Sequence, residues 1–219
     1  MRIRQLQLTF LLLALGMPTF AEEPPDPFAP DEPKAIDRSA DKNSEHFIGD
    51  ETLKEFQEER LDKGIEKNRL VVRIKVWRSF HAPLMFKWSA TVPGDESVLC
   101  VKRLKSVVSE DGKTTYKGLD LDQEIKLLPG QTRLLKTLYA RAPIHELPQP
   151  YWTELGLDGS DWTYEVASDD GLIIIARRNP VYPTLEGTKL EPERLLHEMQ
   201  VTSFALMLWA LSGIDDEPY

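Results

Sequence analysis

Cysteine occurs once in 219 residues, so no disulfide can close within the chain and no cysteine-rich metal site can be built. Positive charge is also scarce. Lys and Arg number 27 against 36 Asp and Glu, for a net charge of −9. That balance excludes nucleic acid as the expected partner, because phosphates must be neutralised by cations. His46, His145 and His197 lie in unrelated contexts without paired-ligand spacing, so no zinc site is expected. No apolar run reaches the roughly 20 residues that a membrane-spanning helix needs. The G-x-S-x-G, H-E-x-x-H, P-loop and G-x-G-x-x-G signatures are missing, as is the EF-hand pattern. No catalytic set, cofactor or metal is therefore expected. Internal repeats are absent too.

What is present first indicates an address. Arg2 and Arg4 precede an apolar run over residues 8–17, and Pro18-Thr19-Phe20-Ala21 ends it on a small residue. This is the pattern of a secretory leader cleaved between Ala21 and Glu22. The leader takes two arginines and no acid with it, so the mature chain is more acidic still. A periplasmic or secreted protein is expected, with no stable membrane span once the leader is removed. Residues 22–46 carry Pro24, Pro25, Pro27, Pro30 and Pro33 among acidic and polar residues. Such a segment buries too little apolar surface to offset its ordering entropy, and reads as a disordered tether. Residues 47–219 read as one globular domain.

Within that domain, Asp50 can cap a charged helix over 51–63, with Gly64 to end it. Residues 70–80 alternate, with Val72, Ile74 and Val76 on one face and Arg73, Lys75 and Trp77 on the other. Further strands are predicted over 84–92, 97–108 and 114–128, separated by Pro93-Gly94-Asp95-Glu96 and by residues 109–113. Pro129-Gly130 breaks the last of these. Leu134, Leu135, Leu138 and Tyr139 give residues 131–141 a helical apolar face. Residues 162–167 and 172–176 form a hairpin around Ser168-Asp169-Asp170-Gly171. A final helix over 191–212 is apolar on most sides from Val201 onward. It is too short to span a bilayer and is expected to lie buried across a sheet. The order specifies an α+β fold: a mainly antiparallel sheet of about six strands, a buried C-terminal helix, and one or two further helices. Cys100, in a strand-like run, reads as a small core residue, with pairing between chains as the alternative.

Two constellations could carry chemistry. Arg78 and His81 end a strand, where an anion-binding guanidinium would stand beside a titratable imidazole. The plain alternative is a charged strand end whose His bonds nearby backbone. Asp158, Trp162 and Glu165 lie in a second run, where two glycines bracket a tight turn before a strand. Those carboxylates could serve acid–base work or hold a hard cation. Alternatively, Asp158 shapes the turn and Trp162 anchors the core. If the two strand ends are neighbours, Arg78 should pair with one of these carboxylates, because either is costly to bury alone.

The run R-S-F-H-x-P at 78–83, then Tyr116-Lys117-Gly118, then G-L-D-G-x-x-W-x-x-E at 156–165, then Arg178-Asn179-Pro180 and the helix through Leu211-Ser212-Gly213 resembles a family of uncharacterised bacterial exported proteins. The resemblance spans residues 72–214 and departs from the family pattern in the hairpin, where only Gly118 is clear. It implies a bacterial cell-envelope setting and one coherent domain, and it supplies no activity. The expectation is a non-enzymatic exported domain that binds another protein or an envelope component. Two alternatives stand beside it. One is a hydrolase or lyase using His81 with Asp158 or Glu165. The other is an inhibitor or immunity-type protein, whose acidity would answer a basic partner.

Overall fold

The computed structural model describes residues 50–62, 66–78, 81–145, 147, 159–178 and 192–216. The expected leader, the tether and Asp158 lie outside these residues. Helix α1 (Asp50–Glu55) is followed by strands β1 (Arg69–Arg78), β2 (Leu84–Thr91), β3 (Ser97–Val108) and β4 (Thr114–Lys126). Helix α2 (Pro129–Arg141), strands β5 (Ser160–Ser168) and β6 (Gly171–Arg178), and helix α3 (Pro192–Ser212) complete the order. The strands form one antiparallel sheet in the order β4-β3-β2-β1-β5-β6. This is the α+β fold expected, with α3 packed across the sheet.

Strand alternation sends every second side chain to the same face. Register puts Ile74 level with Phe86 and Tyr164, and Val76 level with Leu84 and Trp162. With Leu99 and Val101 of β3 these fill the first face, on which α2 and α3 lie. An aromatic chain runs through this core. Phe204 of α3 meets Trp88 and Tyr139 at ring centroids 5.7 and 5.9 Å apart. Trp209 meets Phe86 at 5.2 Å and stacks on Trp162 at 6.0 Å. Trp162 is thus the core anchor that its strand position indicated, and its indole Nε1–H donates to Ser160 Oγ at 2.8 Å. Burial pushes the Tyr139 hydroxyl up to about 12.

Three local expectations need correction. The first helix stops at Glu55, well short of Gly64. The amide of Gln57 bonds the Lys54 carbonyl and that of Glu58 bonds the Leu53 carbonyl, a Schellman closure with Gln57 in the left-handed residue position at φ 55°. Phe56, at the cap, is drawn fully into the fold, and that burial outweighs the cost of a left-handed glutamine. Second, Pro129 opens α2 rather than merely ending β4, because its missing N–H costs nothing at a first helical position. The Leu128 amide there donates to Gln131 Oε1 at 2.8 Å. Third, Cys100 is a half-buried residue of the polar second face and not part of the core. It stands level with Lys87 and Glu124, and burial pushes its thiol pKa up.

The second face is covered in part by residues 50–62. Phe56 joins Met85 and Leu104 in a small apolar cluster edged by Trp77, Tyr116 and Leu119. Trp77 and Tyr116 meet edge to face at 5.7 Å. The β3–β4 register shifts near Leu104, and the hairpin continues to Val108 and Thr114, beyond the part of β3 paired with β2.

Candidate functional site

Arg73 and Lys75 occupy the polar positions of the central strand, yet both are fully buried. Their neighbours explain how. Antiparallel register sets Glu165 of β5 opposite Arg73 and Lys87 of β2 on its other side. The two Glu165 oxygens divide between the cations. Oε1 lies 2.7 Å from Lys75 Nζ, and Oε2 accepts from Arg73 Nε at 3.1 Å and from its Nη2. A second carboxylate arrives from outside the sheet. Glu58 meets Lys102 and Lys87 at 2.7 Å each, with Arg73 at 3.7 Å. Four cations therefore converge on two carboxylates in a shielded layer.

The main chain of the covering segment contributes as well. Lys102 Nζ donates to the carbonyls of Phe56 and Gln57 at 3.1 and 3.3 Å, and Arg73 Nη1 donates to that of Glu59 at 2.7 Å. Burial raises the Glu58 carboxyl pKa, but the Lys102 and Lys87 hydrogen bonds and charges outweigh it, leaving a net lowering. Burial lowers the Lys75 ammonium pKa, and the opposing attraction of Glu165 does not restore it. Beside this layer a groove of about 400 Å³ runs along β1 and β2 under residues 57–61. Val71 and Leu61 give it apolar surface, Lys87 and Glu58 reach it from the buried network, and Arg69 and Glu66 line it with further charge.

The other constellation stands at the end of β1 on the first face. Arg78 is buried, with its guanidinium 5.5 Å over the Trp209 ring. Its Nη2 donates to the Ala82 carbonyl at 2.7 Å and to Asp216 Oδ2 at 3.2 Å. Arg103 Nη1 reaches the same Asp216 oxygen at 3.3 Å. The tail after α3 is thereby fastened to the strand ends. Burial lowers the Arg78 pKa, and Asp216 opposes that shift.

The two predicted constellations do lie on adjacent strands, since Arg78 stands opposite Ser160 of β5. The predicted pairing differs: Asp216 takes Arg78, and Glu165 takes Arg73 and Lys75. Alternation accounts for this, because Arg78 shares a face with Val76 whereas Glu165 shares the other with Arg73. His81 is exposed in the turn after β1. Glu165 sits level with Arg73, roughly 17 Å down the strand from Arg78 at about 3.3 Å per residue. His81 and Glu165 are thus not brought together. Trp162 stands in the core, facing away from the charged layer. Arg177 of β6 donates from Nε to both oxygens of buried Glu198 at 3.1 and 3.0 Å.

Sequence reasoning did not single out Glu58, Lys87, Lys102 or Asp216. The odd-numbered polar residues of β1 were the available signal, since a central strand with cations on one face needs carboxylates from its neighbours. Among the described residues, no group of three or more His, Cys, Asp or Glu is placed to hold a metal ion. Among them, no helix is long and apolar enough to cross a membrane. No family model, curated protein or solved structure matches the chain.

Proposed function

We propose that this chain is an exported, non-enzymatic binding domain that meets another protein or a cell-envelope component at the groove along β1 and β2. The observation that carries the reading is Lys87. It belongs to a buried layer with four cations and two carboxylates, and it also lines the groove. A cation held in place by such a network offers a fixed point of charge beside apolar surface, the mixture that protein recognition uses. The leader-like first 21 residues and the motif resemblance to exported bacterial proteins support the setting.

The test has two arms. Mass spectrometry of the extracytoplasmic protein should find a mature N-terminus at Glu22; a full-length chain retained inside the cell overturns the export arm. Cross-linked capture from an envelope fraction should yield a saturable partner with the wild-type protein and lose it with Lys87→Glu, with circular dichroism confirming that the variant is folded. Equal capture by both proteins overturns the groove as the binding surface.

A further inference from the structure

Residues 50–62 lie on the second sheet face as a bound peptide would, although they belong to the chain. Phe56 fills the apolar cluster with Met85 and Leu104. Two residues on, the Glu58 carboxylate is held by Lys87 and Lys102, with Arg73 behind them. Three main-chain carbonyls, of Phe56, Gln57 and Glu59, accept from the same lysine and arginine. One apolar anchor, one carboxylate and a row of backbone acceptors are the means by which peptide segments are recognised.

Besides these contacts, Leu53 is buried and α1 packs against β4, while the segment's own secondary structure adds little. Helix α1 has six residues, well below the length at which an isolated helix is stable. It closes on a left-handed glutamine, a conformation that a non-glycine residue adopts at a cost. The groove opens beside residues 57–61, so an incoming chain has a place to start. With the segment lifted away, Glu165 would be the one carboxylate of the network left against Arg73, Lys75, Lys87 and Lys102. At the Glu58 position, where Lys87 and Lys102 would lose their carboxylate, the face would then favour an acidic group, while Asp122 level with Lys102 and Glu124 level with Cys100 supply negative charge at its β4 side.

We infer that this face is a docking surface for a partner protein's segment carrying a large apolar residue followed two positions later by Glu or Asp, and that residues 50–62 occupy it in cis. The inference rests on the reading of the chain as a binding domain and names the partner's chemistry. A cis segment competes at a high effective concentration, so a segment in trans is read best where the cis anchor is weakened. The probe is a fluorescein-labelled peptide of residues 50–62, titrated by anisotropy against the full chain carrying Phe56→Ala. Saturable 1:1 binding is expected, at least tenfold tighter than to the wild-type protein. The same peptide with Glu58→Gln should bind at least tenfold more weakly.

Absence of saturable binding to the folded variant, or equal binding of the Glu58→Gln peptide, overturns the inference. Should Phe56→Ala fail to fold, hydrogen exchange of the wild-type protein decides. Amides of residues 53–58 exchanging at least a hundredfold faster than those of β1 and β2 support a segment that lifts on its own. Exchange of both at one rate overturns it. Failure of the peptide while Lys87→Glu still loses the captured partner removes this inference and leaves the groove reading intact. Peptide binding with equal capture by Lys87→Glu removes the groove reading instead.

Discussion

Replacing Glu165 by Gln removes one charge from the centre of the buried layer and almost nothing else. The amide keeps the shape of the side chain, so packing on β5 is preserved. Lys75 loses a carboxylate oxygen 2.7 Å from its ammonium, and Arg73 loses the acceptor of its Nε and Nη2. Both cations are fully buried and cannot recover hydration. Breaking a buried pair in this way costs about 3–5 kcal/mol, because a charge is left uncompensated in low dielectric. For a domain of this size that is a fall in Tm on the order of 10 °C.

The loss also carries a pH signature. The folded-state pKa of Lys75 is already lowered by burial, and removing Glu165 lowers it further. Between that value and the ordinary lysine value, the unfolded chain binds more protons than the folded one, so stability rises with pH. The deficit of the variant should therefore be largest near neutral pH and shrink toward pH 9.5. Urea denaturation followed by tryptophan fluorescence at the two pH values measures it. Adding Lys75→Met should recover part of the loss, since the demand for a carboxylate is then reduced. A deficit below about 1 kcal/mol, or one that widens with pH, would refute the account of the layer as a mutually dependent ion network.

Trp162→Ala should cost roughly 3–5 kcal/mol, because it empties a core site between Tyr164 and Trp209; a melting temperature equal to wild type would contradict that placement. Asp216→Asn should cost about 1–2 kcal/mol, a charge-assisted hydrogen bond discounted for the partial exposure of Asp216. In a double-mutant cycle with Arg78→Leu the two changes should couple by about 1 kcal/mol, and strict additivity would sink the tail fastening. Glu58 has a folded-state pKa below the ordinary glutamate value of 4.5, so its stabilisation is present above that value and lost as pH falls through the folded pKa. Acid titration should accordingly release residues 53–58 first, seen as faster amide exchange; retention of their protection until β1 opens would count against it.

Period-two alternation identified six strands; in β3 every second residue from Ser97 to Val101 faces a continuous apolar layer, and the exposed last residues are held by the hairpin with β4. The apolar C-terminal run announced a buried helix for the same reason: Phe204, Leu208 and Trp209 have no other way to leave water. Alternation also placed Arg73 and Lys75 together on the face opposite the core. It could not say what covers the second face, since a strand pattern records which residues point together and not what lies over them. Register decided that Glu165 meets Arg73 rather than Arg78, and a one-residue slip would have turned it to the other face. The partner of Arg78 lies 138 residues away, beyond any spacing rule. Phe56 and Glu58 sit in a segment whose charge marks it as surface. Only the pocket and the lysines assembled from β2 and β3 draw those two side chains inward, and these elements come together only when the chain folds.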